Sequence, residues 1–114
     1  MSDCLFCKIG AGTIPANITY RDAEVVAFKD INPKAPFHQL VIPIRHIASL
    51  AAVRTEDSGL LGKLLHVGST LASDAGFAQS GFRVVMNAGP DAGQTVAHVH
   101  LHVLAGRELG WPPG

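Results

Sequence analysis

Three histidines alternate in the run His98-Val99-His100-Leu101-His102-Val103-Leu104. On an extended strand residues two apart share a face. The three imidazoles therefore project to one side, and Val99, Leu101 and Val103 to the other. A single strand histidine is usually structural, but three in strict alternation are a poor use of a strand unless they form a site. Two chemistries suit the pattern. Alternating histidines can hold zinc with water at an open position, for metal-assisted hydrolysis. Alternatively, one neutral imidazole can attack phosphorus while its neighbours act as acid, base or phosphate ligands, and water then cleaves the phosphorylated histidine. The Gly-rich turn before the strand favours the second, because Gly93, Gln94 and Thr95 can offer N–H groups and side-chain donors to phosphate oxygens.

The other chemistry-bearing pair is Cys4 and Cys7, spaced C-x-x-C. In a chain without an export signal that spacing suggests metal or redox chemistry rather than a structural disulfide. His38 and His66 have no motif around them and read as structural or surface residues.

The elements that must position these groups are short. Ile18-Thr19-Tyr20 and Val25 to Phe28 read as strands around the turn Arg21-Asp22-Ala23-Glu24. Asp30 to Pro36 is a loop, with Asn32 and two prolines. A third strand runs from His38 to Pro43, a fourth from Phe82 to Asn87 and a fifth from Val99 to Leu104. At the N-terminus, Gly10 and Gly12 break a short segment from Cys4 to Ile9. One helix is clear. Thr55 can cap it, Glu56 and Asp57 suit its first turn, and Leu60, Leu61, Leu64, Leu65, Val67, Leu71, Ala72 and Ala75 recur at helical spacing up to Gly76. Gly62 and Gly68 weaken it, either as tolerated glycines or as points of close approach for another element, a partner helix included. Antiparallel strands with one long helix make an α+β domain.

Composition narrows the function. The chain has 114 residues, so one domain able to bury a core is the default. Nine Lys and Arg balance nine Asp and Glu without a basic run, which argues against nucleic-acid or anionic-membrane partners and leaves phosphate binding to local groups. No apolar stretch is long enough to span a bilayer. Met1-Ser2-Asp3-Cys4 does not resemble a signal peptide, so the expected location is cytoplasmic.

With these residues assembled, Gly93 to Leu104 resembles the His-φ-His-φ-His-φ-φ signature of the histidine-triad (HIT) nucleotide-binding family. Cys4-Leu5-Phe6-Cys7-Lys8-Ile9, Ile14-Pro15-Ala16, Phe28 to Pro33 and Val41 to Ile47 look like other parts of that family. The ending Gly110-Trp111-Pro112-Pro113-Gly114 is similar to its Hint branch. The resemblance implies a single HIT domain over residues 1–114. It implies an antiparallel sheet of about five strands, one long helix and a short N-terminal helix. It also implies a homodimeric hydrolase that cleaves the P–N bond of purine nucleoside 5'-phosphoramidates (AMP-amine and aminoacyl-AMP types) through a nucleotidyl-histidine. A dinucleoside polyphosphate hydrolase and a nucleotide-binding regulatory module with incidental turnover are the alternatives.

By the same resemblance His100 stands at the nucleophile's position. His102, Gly93 and the amides of Gln94 and Thr95 lie around the α-phosphate, Asn87 lies near ribose and phosphate, and Asp30 accepts from the ribose hydroxyls. Leu5, Phe6, Ile9 and Phe28 wall the purine pocket, though on their own they read as core residues. Trp111 lies toward the leaving group in a dimer. Cys4, Cys7, His46 and His98 resemble a Cys-Cys-His-His zinc set, which would be closed and structural, with no cofactor required for the chemistry. The other reading is two thiols beside a histidine pair. A zinc-bound His98 could not serve as the catalytic proton donor, which would then be His102, water or the substrate itself.

Overall fold

The structure, a computed structural model, describes residues 3–114; Met1 and Ser2, part of the N-terminal reading above, lie outside them. Five strands form one antiparallel sheet: β1 (Ile18–Arg21), β2 (Val25–Lys29), β3 (Phe37–Pro43), β4 (Phe82–Val85) and β5 (Leu101–Ala105), in the order β1-β2-β3-β5-β4. Helix α1 (Leu5–Ala11) packs against one face and helix α2 (Ser58–Asp74) against the other. Because both faces of β2 are covered, Val25 to Phe28 are all buried and do not alternate with polar residues. Val25, Ala27, Val41, Leu101 and Val103 join Leu64, Val67 and Ala72 of α2. Val26, Phe28, Leu40 and Ile42 join Phe6 and Ile9 of α1. This alternation turns His102 toward the α1 face, since Leu101 and Val103 are committed to α2. No helix among the described residues is long and apolar enough to cross a membrane.

Several boundaries differ from the sequence expectation. The fifth strand begins at Leu101 rather than Val99, because the Val99 N–H leaves the sheet and donates to the Ile47 carbonyl (2.7 Å). The fourth ends at Val85, opposite His102, so Met86 and Asn87 fall beyond the ladder. Helix α1 continues through Gly10, which is buried against Ile44, and stops at left-handed Gly12. Thr55 does not cap α2. A 3-10 turn (Thr55–Asp57) precedes the helix, and Asp57 accepts from the Arg54 N–H (3.0 Å) while pairing with the Arg45 guanidinium. Gly76 ends α2 as expected. Its φ of 97° carries the chain into the left-handed region, and the Gly76 and Phe77 N–H groups close on the Ser73 and Ala72 carbonyls (3.0 Å each).

The two glycines of α2 have different roles. A Cβ on Gly68 would stand 2.9 Å from Val103 Cγ2 and 3.3 Å from Leu101 Cδ2, so this glycine lets α2 press on its own sheet and not on a partner helix. A Cβ on Gly62 would meet nothing within 4 Å. Gly68→Ala is therefore expected to lower stability by about 1 kcal/mol or more, overpacking outweighing the helix-propensity gain. Gly62→Ala is expected to raise stability by up to about 1 kcal/mol. Urea midpoints should move in opposite directions; a shift of both in the same direction would remove the close-approach role of Gly68.

Candidate active site

Between α1 and the sheet lies a cavity of about 280 Å³. Leu5, Phe6 and Ile9 of α1, Ile14, Phe28 and Leu40 give it an apolar wall, and Asp30, Thr95, His100 and His102 supply polar groups. Phe6 and Ile9 lie three residues apart on the buried side of the helix, and the half-exposed Leu5, four residues before Ile9, borders them. An apolar slot with a few polar groups suits an aromatic base attached to a polar, charged remainder.

His100 is buried in this wall. Its Nδ1 lies 2.8 Å from the His98 carbonyl oxygen, which can only accept, so Nδ1 carries the proton. In the neutral ring Nε2 then holds the lone pair. The Phe6 ring meets the imidazole edge-on, centroids 5.0 Å apart, and limits its rotation. The chain thus supplies an oriented imidazole whose unprotonated nitrogen is set by a main-chain group.

His102 lies beside it, ring centroids 5.1 Å apart. Its Nδ1 is 2.9 Å from Nε2 of His38, and that same His38 nitrogen is 3.4 Å from Asp30 Oδ2. The other Asp30 oxygen accepts from the Asn32 N–H (2.8 Å). Burial, with the neighbouring His100 and His38, lowers the pKa of His102 to about 4 against the weaker pull of Asp30, so the ring is neutral near pH 7. His38, read from sequence as a structural or surface residue, is buried and bonded directly to a cavity residue.

His98 is elsewhere. Its ring is fully buried, its Nε2–H donates to the Pro43 carbonyl (2.8 Å), and its Nδ1 points into a cluster with Cys4, Cys7 and His46. Contacts there are 3.4 Å from Nδ1 to Cys4 Sγ, 3.5 Å to Cys7 Sγ and 3.2 Å to His46 Nδ1; Cys7 Sγ to His46 Nδ1 is 3.2 Å. Zinc bonds of about 2.3 Å to sulfur and about 2.0 Å to nitrogen imply tetrahedral edges of roughly 3.5 Å for S–N and 3.3 Å for N–N. The donor set fits a tetrahedral metal. The Pro43 carbonyl holds the His98 ring in the required tautomer, as outer partners of metal-binding histidines do. His98 is thus brought to this cluster and not to the cavity lining.

The Gly-rich turn is braced internally. The Gly93 N–H donates to the Pro90 carbonyl (3.0 Å) and the Gln94 N–H to the Gly89 carbonyl (3.1 Å). The Gln94 side chain accepts from the Gly89 N–H and donates to the Ala48 and Val96 carbonyls (2.9, 2.8 and 3.0 Å). Of the residues before the histidine strand singled out in the sequence, Thr95 lines the cavity; Gly93 and Gln94 of the turn, and Asn87 before it, stand outside its lining. Trp111 is 82% exposed, on a tail tied to β4 by the bond from Arg83 Nη2 to the Gly110 carbonyl (2.8 Å).

Fold and site together define an α+β protein with a histidine-lined cavity on one face of its sheet. Residues 3–109 match the family described as "Scavenger mRNA decapping enzyme C-term binding". A HIT-like protein of Synechocystis is 48% identical over 98% of this chain and 97% of its own length. A "14 kDa zinc-binding protein" of Zea mays is 43% identical over 99% of this chain and 89% of its own. The crystal structure of a HIT family hydrolase from Legionella pneumophila superposes with a TM-score of 0.97 at 46% identity, covering 98% of this chain and all of that one. The chain belongs to the histidine-triad (HIT) nucleotide-binding family.

Proposed function

We infer that this protein hydrolyses the P–N bond of purine nucleoside 5'-phosphoramidates, through a nucleotidyl group carried on His100. The observation that carries this reading is the bond from His100 Nδ1–H to the His98 carbonyl, which leaves Nε2 as a nucleophile in a cavity shaped for a nucleotide. In the first step Nε2 attacks phosphorus and the P–N bond breaks. The amine leaves with a proton from its own protonated nitrogen or from water, since His102 is too weakly basic to be held as imidazolium near neutral pH. Positive charge gathers on the substituted imidazole, and the Nδ1–H bond to the carbonyl strengthens as it does. Water then attacks phosphorus, the P–Nε2 pair returns to the ring, and the water's proton passes to solvent. His102 and Thr95 face the phosphate, Asp30 the ribose, and Leu5, Phe6, Ile9 and Phe28 the base. The printed name of the Legionella structure, a hydrolase, supports the reaction class.

Cys4, Cys7, His46 and His98 would hold zinc, a reading supported by the maize relative's name. With four protein ligands the ion would be structural, fastening α1 to the loops after β3 and before β5. A second copy would meet the chain at edge strand β4 and the exposed Trp111 tail; Gly68 lends a dimer no support. The test compares an AMP–amine conjugate with a diadenosine polyphosphate side by side. The amidate is expected to be cleaved at least tenfold faster in kcat/KM, corresponding to about 1.4 kcal/mol. The reverse order would move the chain to polyphosphate hydrolysis, and AMP binding without cleavage of either would make it a binding module.

A further inference from the structure

Helix α1 carries Leu5, Phe6 and Ile9 of the cavity wall, yet seven residues are too few to hold a helix in place on their own. Its N-terminal end is joined to the cluster of Cys4, Cys7, His46 and His98. Its other end is held differently. The chain leaves the helix at left-handed Gly12, so the last carbonyls need partners from beyond the helical ladder. The Thr13 N–H and hydroxyl donate to the Lys8 carbonyl (2.9 and 3.1 Å), and the Gly12 N–H donates to that of Ile9 (3.0 Å). Arg21 adds two further donors: Nη1 donates to the Gly10 carbonyl (3.0 Å) and Nη2 reaches that of Ile9 (3.5 Å).

Arg21 closes β1 and stands opposite Val26 of β2. Opposed residues of an antiparallel pair share a face of the sheet. Val26 packs in the α1 cluster, so the Arg21 side chain rises on the α1 side, from the edge strand. Its positive charge there meets the negative end of the helix. The two carbonyls it takes belong to the residues that seat the wall. Ile9 is buried and lines the cavity, and Gly10 is packed so closely that a Cβ there would stand 3.6 Å from Ile44 Cα. Charge-assisted bonds from one planar group to consecutive carbonyls fix the direction of that backbone as well as its position. Arg21 itself lies outside the cavity lining.

We propose that Arg21 is a positioning residue for the base wall: it fastens the C-terminal end of α1 to β1, fixes the width of the slot between Ile9 and the sheet, and so strengthens nucleobase binding without touching the ligand. His100, His102 and Thr95 stand on other segments of the chain, so Arg21 governs affinity and leaves the chemical step alone. The proposal rests on the reading of the cavity as a nucleotide site, but the hold on α1 can be measured with no ligand present.

The test uses the full chain as purified, with AMP as the probe. Arg21→Met keeps the aliphatic stem and removes both donors. It is expected to weaken AMP binding, measured by calorimetry, about 5- to 10-fold, to raise KM for an AMP–amine conjugate by a similar factor and to leave kcat within about twofold. Hydrogen exchange of the unliganded protein should show the α1 amides opening about tenfold faster, with those of β2 and β3 unchanged. Arg21→Lys, which can still donate to one carbonyl, should recover at least half of the loss in log Kd. AMP affinity within about twofold of wild type, α1 amides that exchange as before, or an Arg21→Lys as weak as Arg21→Met would overturn the proposal. So would a lower Tm without the split between KM and kcat, which would make Arg21 merely structural. A wild-type chain that binds AMP but cleaves no amidate would count against the proposed function, and the binding and exchange results would still decide the role of Arg21.

Discussion

His100→Ala is expected to lose turnover of an AMP–amine conjugate by about 10⁴-fold or more, while AMP affinity stays within a few-fold. The two nitrogens of the ring divide the labour. Its Nδ1–H is spent on the His98 carbonyl, and its Nε2 lone pair is the proposed nucleophile. In the proposed reading binding would draw on the apolar wall of α1 and β2, on Asp30 and on His102, all of which line the cavity and which the substitution leaves in place. Removing the ring also empties a buried position against Phe6, so a loss of stability of a few kcal/mol would accompany it. His100→Asn separates the effects: its amide can still donate to the His98 carbonyl, yet it has no nitrogen able to form the phosphorus bond. Product release followed by chromatography, with AMP binding by calorimetry, checks both. Turnover retained in either variant at more than a hundredth of wild type would remove His100 as the nucleophile.

One zinc per chain is the second expected result, with a fall of roughly 10 °C in Tm on chelation or on Cys7→Ser. Helix α1 has seven residues, too few to be stable alone in water. Cys4 sits at its N-cap and Cys7 one turn on, while His46 and His98 come from loops at the ends of β3 and β5. A metal there would tie three separate segments of chain together. Because Leu5, Phe6 and Ile9 lie on the same short helix, chelation should weaken AMP binding along with stability. Metal analysis of the purified protein and thermal melts with and without chelator check this. Absence of metal together with an unmoved Tm would leave the cluster as two thiols beside a histidine pair.

Much of the fold was legible because it is written in local patterns. The long helix shows in its apolar spacing, its end in Gly76, and the strands in short β-branched runs. Cys4, Cys7, His46 and His98 were gathered by resemblance to a ligand set, and the structure does bring them together. What stayed hidden depends on groups meeting across the chain. His38 reaches the cavity residue His102 only because β3 and β5 pair with Leu40 opposite His102, which puts His38 on the adjacent diagonal. That register cannot be read from either strand. The expected strand from His38 to Pro43 does place His38 on a strand; what it faces there is missing. The Gly93 and Gln94 donors differ from expectation for a similar reason, since the turn consumes both N–H groups in its own closure. The histidine strand starts two residues later than its spacing predicts because Val99 finds its partner in the Ile47 loop.

The tautomer of the cavity imidazole His100 traces back to a main-chain group, the carbonyl of His98. Side-chain replacement leaves such a group in place. At position 98 every amino acid supplies the carbonyl, so substitution interrogates the cluster through the ring and leaves the instruction to His100 in the backbone. The polarity of the site is in this sense insulated from mutation, carried by the path of the chain more than by the letters along it.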